Sequence, residues 1–235
     1  MKITAPCLEG RLIKRYKRFL ADIQLTDGRV LTVHTPNTGS MLGCSDPGSR
    51  VWVYKSHNPK RKYAYSWELV EDLQGNLIGI HTGRVNSLVT EAIQQNVVSE
   101  LTGYPNIEQE KKFPDSSTRF DLFLSGHATL PDCFVEIKNV TAKSGNNAIF
   151  PDAVTERGRK HLLVLQEALE QGYRAVMFYC VQREDVKAFA PARQIDEKYA
   201  HALHEAQQHG VEILAYKAKM GVKEITLNKA IPVKL

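Results

Sequence analysis

Apolar and polar positions alternate with period two through the first third of the chain. Phe19 to Leu25 and Val30 to Thr35 follow this pattern and flank Asp27-Gly28, the short turn that most strongly signals a hairpin. Further alternating runs occur at Arg50 to Tyr54, at Ser66 to Val70 and, after Gln74-Gly75, at Asn76 to Ile80. Short strands in such number, with hardly any helical period between them, are best accommodated by closing the sheet, which removes its unpaired edges. An OB-like barrel is therefore expected over residues 1–82, giving the chain an all-β amino-terminal domain.

From residue 83 the period changes. Asn86 or Ser87 can cap a helix whose apolar positions Leu88, Ala92, Ile93, Val97 and Leu101 recur at helical spacing, with Gly103 and Pro105 as the stop. Strands are expected at Glu108 to Phe113, Phe120 to Leu124 and Cys133 to Lys138. A helix from about Thr155 to Gln171, an apolar strand from Arg174 to Val181, a helix from Asp196 to His209 and a strand from Val211 to Lys217 complete the pattern. This is an α/β layout with a buried central sheet over residues 83–235.

Composition narrows the function classes. The 235 residues are 43% hydrophobic and 24% charged, as in an ordinary globular protein of two domains. The longest apolar run, Ala175 to Val181, is far below the ~20 residues of a membrane span, and Glu9, Arg11 and Lys14 interrupt any apolar leader, so a cytoplasmic location is expected. Cys7, Cys44, Cys133 and Cys180 are too scattered for zinc or a disulfide framework. No His-Glu-x-x-His spacing occurs, which excludes a metalloprotease helix.

Charge is unevenly divided. Residues 1–80 hold 12 Lys and Arg against 7 Asp and Glu, whereas residues 81–235 hold 19 of each, so the whole surplus of +5 belongs to the first third. The basic residues there are bunched. Arg11, Lys14, Arg15, Lys17 and Arg18 interleave with Tyr16 and Phe19, and Lys60, Arg61 and Lys62 precede Tyr63 and Tyr65. Cations beside aromatics suit phosphate neutralisation combined with base stacking; a solvated strand face, with Lys and Arg stems covering apolar surface, is the competing reading.

The candidate chemistry lies in the second domain. Period two puts Glu136 and Lys138 on one face of their strand and Val135 and Ile137 on the other. One hairpin can bring Asp121, at the start of the preceding strand, beside Glu136. Two converging carboxylates raise one another's pKa unless a divalent cation lies between them, and Mg²⁺, with Mn²⁺ as its substitute, is the natural occupant. An ordinary ion-pair cluster at a sheet edge is the competing reading. An Asp on one strand and an acid-x-Lys on the next, within this layout, resembles the PD-(D/E)xK nuclease-like superfamily. That resemblance implies that Asp121 and Glu136 hold the metal, that Lys138 orients or stabilises an attacking hydroxide, and that a Glu of the preceding helix completes the site. Of the helix acids, Glu91 on the polar margin fits better than Glu100 among the apolar positions. Phe120 stands where the superfamily has Pro; the pairs Pro114-Asp115, Pro131-Asp132 and Pro151-Asp152 are decoys.

A more specific resemblance spans nearly the whole chain. Arg15 to Phe19, Pro36 to Met41, Arg61-Lys62-Tyr63, Glu136 to Thr141 and especially Phe150 to Gly158, continuing to Lys160-His161-Leu162, resemble the sugar fermentation stimulation protein family. The resemblance implies an OB-like domain followed by a nuclease-like mixed sheet flanked by helices, sequence-nonspecific DNA binding, and a regulatory part in sugar (maltose) metabolism. It implies no settled enzymatic activity. Arg157 and His161, an i,i+4 pair, with Lys160 beside them, are placed to grip a phosphate near the metal, or else form a solvated basic face. The leading reading is a DNA binder using Lys14, Arg15, Lys17, Arg18, Arg61, Lys62, Arg157, Lys160 and His161. A Mg²⁺-dependent phosphodiesterase acting on DNA or RNA is the alternative. Oligomeric state stays open, a homo-oligomer included.

Overall fold

The computed structural model describes residues 1–3, 6–114 and 116–235. Strands β1 (Cys7–Tyr16), β2 (Leu20–Leu25), β3 (Val30–His34), β4 (Arg50–Lys55) and β5 (Tyr65–Glu71) run in the order β3-β2-β1-β4-β5. The barrel closes where His34 of β3 pairs with Ser66 of β5, and β6 (Leu77–Gly79) extends the sheet beyond β5. Inward positions of successive strands supply the core: Leu12, Ile23, Val33, Val51, Val53 and Trp67 are all buried. The indole N–H of Trp67 donates to the Leu69 carbonyl at 2.8 Å, so its burial leaves no donor unpaired. Gly28 adopts φ +85° at the expected β2–β3 turn.

The second domain comprises α1 (Val85–Gln94), β7 (Asn106–Lys112), β8 (Arg119–Ser125), β9 (Cys133–Val140), β10 (Lys143–Ser144), β11 (Asn147–Phe150), α2 (Glu156–Glu170), β12 (Arg174–Val181), β13 (Ala188–Pro191), α3 (Glu197–Gln208), β14 (Glu212–Lys219) and β15 (Thr226–Ala230). Its main sheet has the order β15-β14-β12-β9-β8-β7, with β12 parallel to both neighbours and the outer pairings antiparallel. A sheet with parallel strands at its centre must be covered on both faces. Helix α1 covers one face with Val85, Leu88, Val89, Ala92 and Ile93, and α2 and α3 cover the other with Leu162, Leu165, Tyr199 and Leu203. Thr155 caps α2 by accepting from the Gly158 N–H at 3.0 Å.

Helix α1 departs from expectation at both ends. Its N-cap is Arg84, without a side-chain cap, and Asn86 bonds elsewhere. It stops at Gln94 because Asn96 takes φ +57°, which lets the Val97 N–H close back on the Ala92 carbonyl at 2.9 Å. The apolar spacing continues regardless, because Val98 and Leu101 drop into the same core from a separate turn.

The domains are joined at several points, the Gly79 N–H to the Gln182 carbonyl at 3.0 Å among them. Ile3 donates to the Lys223 carbonyl and Ile225 to that of Met1, so residues 1–3, expected within the barrel domain of residues 1–82, are hydrogen-bonded to the second domain. Arg183, 2% exposed, pairs with Asp72 of the barrel and with Asp185, and donates to the Thr141 carbonyl. Asp152 accepts from the Ser40 hydroxyl at 3.0 Å and the Met41 N–H at 3.1 Å. Among the described residues no helix is long and apolar enough to cross a membrane.

Candidate metal centre

The β8–β9 register ends at Leu122↔Val135. Just past that point the Ile137 N–H donates to Asp121 Oδ2 at 2.7 Å, and the Asn86 side chain donates to Oδ1 at 3.0 Å. The carboxylate is thereby fixed by one backbone and one helix donor. On β9, Glu136 and Lys138 share a face as period two requires, and that face meets α2. Glu136 is 3% exposed. Its Oε1 accepts from both the Lys138 ammonium and His161 Nδ1. Arg157 Nε donates to His161 Nε2 at 3.4 Å, which leaves the ring proton on Nδ1, facing Glu136. Oε2 of Glu136 is buried and has no partner among the described residues.

These surroundings separate the two acids electrostatically. Burial, reinforced by the Glu136 charge, pushes the Asp121 carboxyl up to about 6. Burial acts to raise Glu136 as well, but the bonds from His161 and Lys138 outweigh it and hold that carboxyl below its ordinary value. Both acids line a cavity of about 350 Å³ whose other walls include Arg119, Arg157, Lys160 and His161.

A divalent cation fits this donor set. It would engage the orphaned Glu136 oxygen and relieve the unfavourable ionisation of Asp121. Among the described residues no three His, Cys, Asp or Glu side chains converge in metal-ligand geometry. The two carboxylates offer oxygen ligands of the kind a hard divalent cation takes.

The structure brings Asp121, Glu136, Lys138 and His161 together and adds Arg157 and Lys160 at the rim. Glu91 does not join them: its carboxylate pairs with the Met1 amino group at 2.9 Å and lines neither this cavity nor the one beside it. Its position five residues after Asn86 turns it well round the helix from the side chain that reaches Asp121. Glu100 accepts from the Tyr216 hydroxyl at 2.6 Å. His161 is a buried partner of Glu136, not a surface contact. Arg15 is likewise committed: its guanidinium donates to the carbonyls of Arg18, Asn37 and Gly39 at 2.7, 3.0 and 2.8 Å. Lys14, Lys17, Arg18, Lys62, Arg157 and Lys160 are exposed, and Arg61 is half-buried, donating to the Ser66 hydroxyl. Asp132 accepts from the Gly126 N–H and Asp152 anchors the barrel loop, so neither belongs to the centre; Asp115 lies outside the described residues. Two participants were not foreseen. Arg119 shares the face of Asp121 by period two, a signal available in the sequence, whereas Asn86, one of two residues able to cap α1, donates to Asp121 instead.

Comparison with known proteins follows the same division of the chain. The family model described as SfsA N-terminal OB domain matches residues 13–80, and the one described as sugar fermentation stimulation protein RE domain matches residues 83–224. The chain is 48% identical over 227 residues to a sugar fermentation stimulation protein homolog of Shewanella sp. (strain W3-18-1), covering 97% of each. It is 47% identical over 235 residues to that of Shewanella baltica (strain OS185), covering 100% of each. Among solved structures, Pyrococcus furiosus SfsA in complex with Ca²⁺ superposes with a TM-score of 0.90 at 25% identity, covering 100% of this chain and 98% of that one.

Proposed function

The chain belongs to the sugar fermentation stimulation protein family, and we propose that it is a sequence-nonspecific DNA-binding protein in which a divalent cation between Asp121 and Glu136 takes part in holding the phosphodiester backbone. The observation carrying this reading is the pairing, in one cavity, of an orphaned carboxylate oxygen and an uphill-ionised aspartate with a rim of Arg119, Arg157 and Lys160. Acids alone repel a polyanion and cations alone need no acid floor; together they suit a metal with a phosphate on it. The Ca²⁺ in the Pyrococcus relative supports the cation half of the reading. The phosphate half is supported by continuity of surface. Lys17 and Arg18 form the exposed β1–β2 turn, and Arg15 ties that turn to the Asn37–Gly39 loop. Asp152 ties the next residues of this loop to the second domain. These bonds hold the barrel turn and the second domain together, so that one nucleic acid can engage the cations of both. The resemblance to sugar-fermentation regulators fits such a binder, and nonspecific affinity is then set by phosphate neutralisation.

The placement of Lys138 favours a second reading, hydrolysis. Its ammonium sits against Glu136, beside the cavity where a phosphate would lie. A cation bound there would supply charge stabilisation at the phosphate. Lys138 and Glu136 would hold and orient the water proton, and Arg157 and Lys160 would position the diester.

The test is binding of oligonucleotides of unrelated sequence across a salt series, with Ca²⁺ present. Affinities should agree within a few fold and fall steeply with salt, and charge reversal of Lys14, Lys17 and Arg18, sparing the structural Arg15, should weaken all alike. Salt-indifferent affinity would refute the reading. A cleavage time course on DNA and RNA with Mg²⁺ or Mn²⁺, wild type against Lys138→Ala, decides hydrolysis: product that the substitution abolishes establishes it, and absence of product leaves a binder.

A further inference from the structure

A second cavity, of about 600 Å³, lies between the domains and shares Asp121 and Glu110 with the metal cavity. The two differ sharply in charge. None of the described residues lining the larger cavity is Lys, Arg or His, while Glu110, Asp121 and Asp152 all face it. The smaller one has Arg119, Arg157, Lys160 and His161 in its walls. A phosphate belongs on the basic side of Asp121 and is repelled from the other. What the larger cavity offers instead is neutral hydrogen bonding beside an apolar wall. Asn86 gives its amide N–H to Asp121 and keeps its carbonyl; Asn139 gives its carbonyl to Gln182 at 2.6 Å and keeps its amide N–H. Ile149 and Phe150 form the apolar wall.

From this division we infer that the interdomain cavity receives the nucleoside of an unpaired nucleotide whose phosphate lies on the basic side of Asp121, so that the preferred ligand is a single strand or a frayed end. The inference rests on the proposed phosphodiester reading of the acid pair and adds the class of nucleic acid. The volume falls within the range of sites that enclose a small molecule. A paired duplex is kept out: it brings about one phosphate charge per 1.7 Å of axis to a cavity whose described lining has acids and no cation. One donor and one acceptor amide serve the edge of any base, in keeping with weak sequence preference, and an unpaired base leaves both its face and its edge free for such contacts.

The experiment compares a single-stranded oligonucleotide with a blunt hairpin of equal phosphate number, both in Ca²⁺, each with 2-aminopurine at its terminus or interior. The single strand should bind about tenfold tighter, the size of one base contact, and only an unpaired 2-aminopurine should change its emission. Ser87→Trp, at an exposed α1 position lining the cavity, should shrink the preference to within about threefold. Ca²⁺ binding by the same variant reports that the acid pair is intact, and Asn139→Leu provides an independent block. Equal affinity for both ligands with Ca²⁺ binding intact, or a preference untouched by both substitutions, overturns this inference alone. Absence of binding to either ligand overturns the proposed function and this inference with it.

Discussion

Replacing Asp121 by Asn should make the metal-free protein more stable at neutral pH. The carboxyl ionises at about 6 in the folded chain against an ordinary value of 3.8, because it is buried beside Glu136. At about 1.36 kcal/mol per unit, keeping it charged costs the fold about 3 kcal/mol. Between roughly pH 4 and 6 the folded chain holds a proton that the unfolded chain has released. Stability from this group therefore falls as pH rises through that window and stays low above it. Asn has no charge to desolvate, and rotation of the Asn86 amide can turn its carbonyl toward the new N–H. Urea unfolding in EDTA should show Asp121→Asn more stable than wild type by about 1–3 kcal/mol at pH 8, with the gain vanishing near pH 4. Excess Ca²⁺ should then stabilise the wild type alone, by about 2.7 kcal/mol at a hundredfold over Kd, and close the gap. A variant less stable than wild type at pH 8 in EDTA would refute the reasoning, because the carboxylate would then be a net contributor through Asn86 and Ile137.

Further outcomes follow from the metal centre, the Arg183 joint and the barrel loop. Ca²⁺ affinity, measured by calorimetry, should fall about tenfold per pH unit below about pH 6, since the cation must displace the Asp121 proton; an affinity flat to pH 4.5 would contradict this. Arg183→Met should cost about 3–5 kcal/mol in urea unfolding by leaving the buried Asp72 carboxylate without its cation. Burial opposes Asp185, but Arg183 and Lys143 hold its carboxyl at about 2, so its contribution should persist at neutral pH and disappear as pH falls from about 4 toward 2. Arg15→Ala should lower the melting temperature by freeing the Asn37–Gly39 loop, whereas Lys17→Ala should leave melting unchanged and weaken DNA binding in fluorescence anisotropy.

Alternation made the barrel legible, because inward and outward positions of a closed sheet differ in polarity at every step: Ile23, Val33 and Val53 are all fully buried. The acid-x-Lys of β9 was legible for the same reason, whereas β8 begins at Arg119, so that Asp121 is its third residue and meets β9 through the Ile137 N–H, beyond the last register pair. What failed was anything set by non-local partners. Glu91 looked available because sequence cannot show the Met1 amino group arriving beside it. His161 looked like a surface cation until α2 was seen packed over Glu136. The end of α1 was hidden because Val98 and Leu101 prolong the apolar spacing past the Asn96 turn. Arg15, Lys17 and Arg18 are indistinguishable as a basic run, and only the loop carbonyls around Arg15 separate a structural guanidinium from free ones.

The central claim, that the acid pair and its cation contribute to holding nucleic acid, is tested most directly by anisotropy of a labelled oligonucleotide in Ca²⁺ and in EDTA. Wild type is compared with the double substitution Asp121→Asn, Glu136→Gln. Ca²⁺ should tighten wild-type binding about fivefold or more, a gain of about 1 kcal/mol. It should leave the double variant unchanged, and in EDTA that variant should match or exceed the wild type, because two carboxylates no longer repel the phosphates. Wild-type binding that is the same in Ca²⁺ and EDTA, or a variant that responds to Ca²⁺ as the wild type does, would contradict the account.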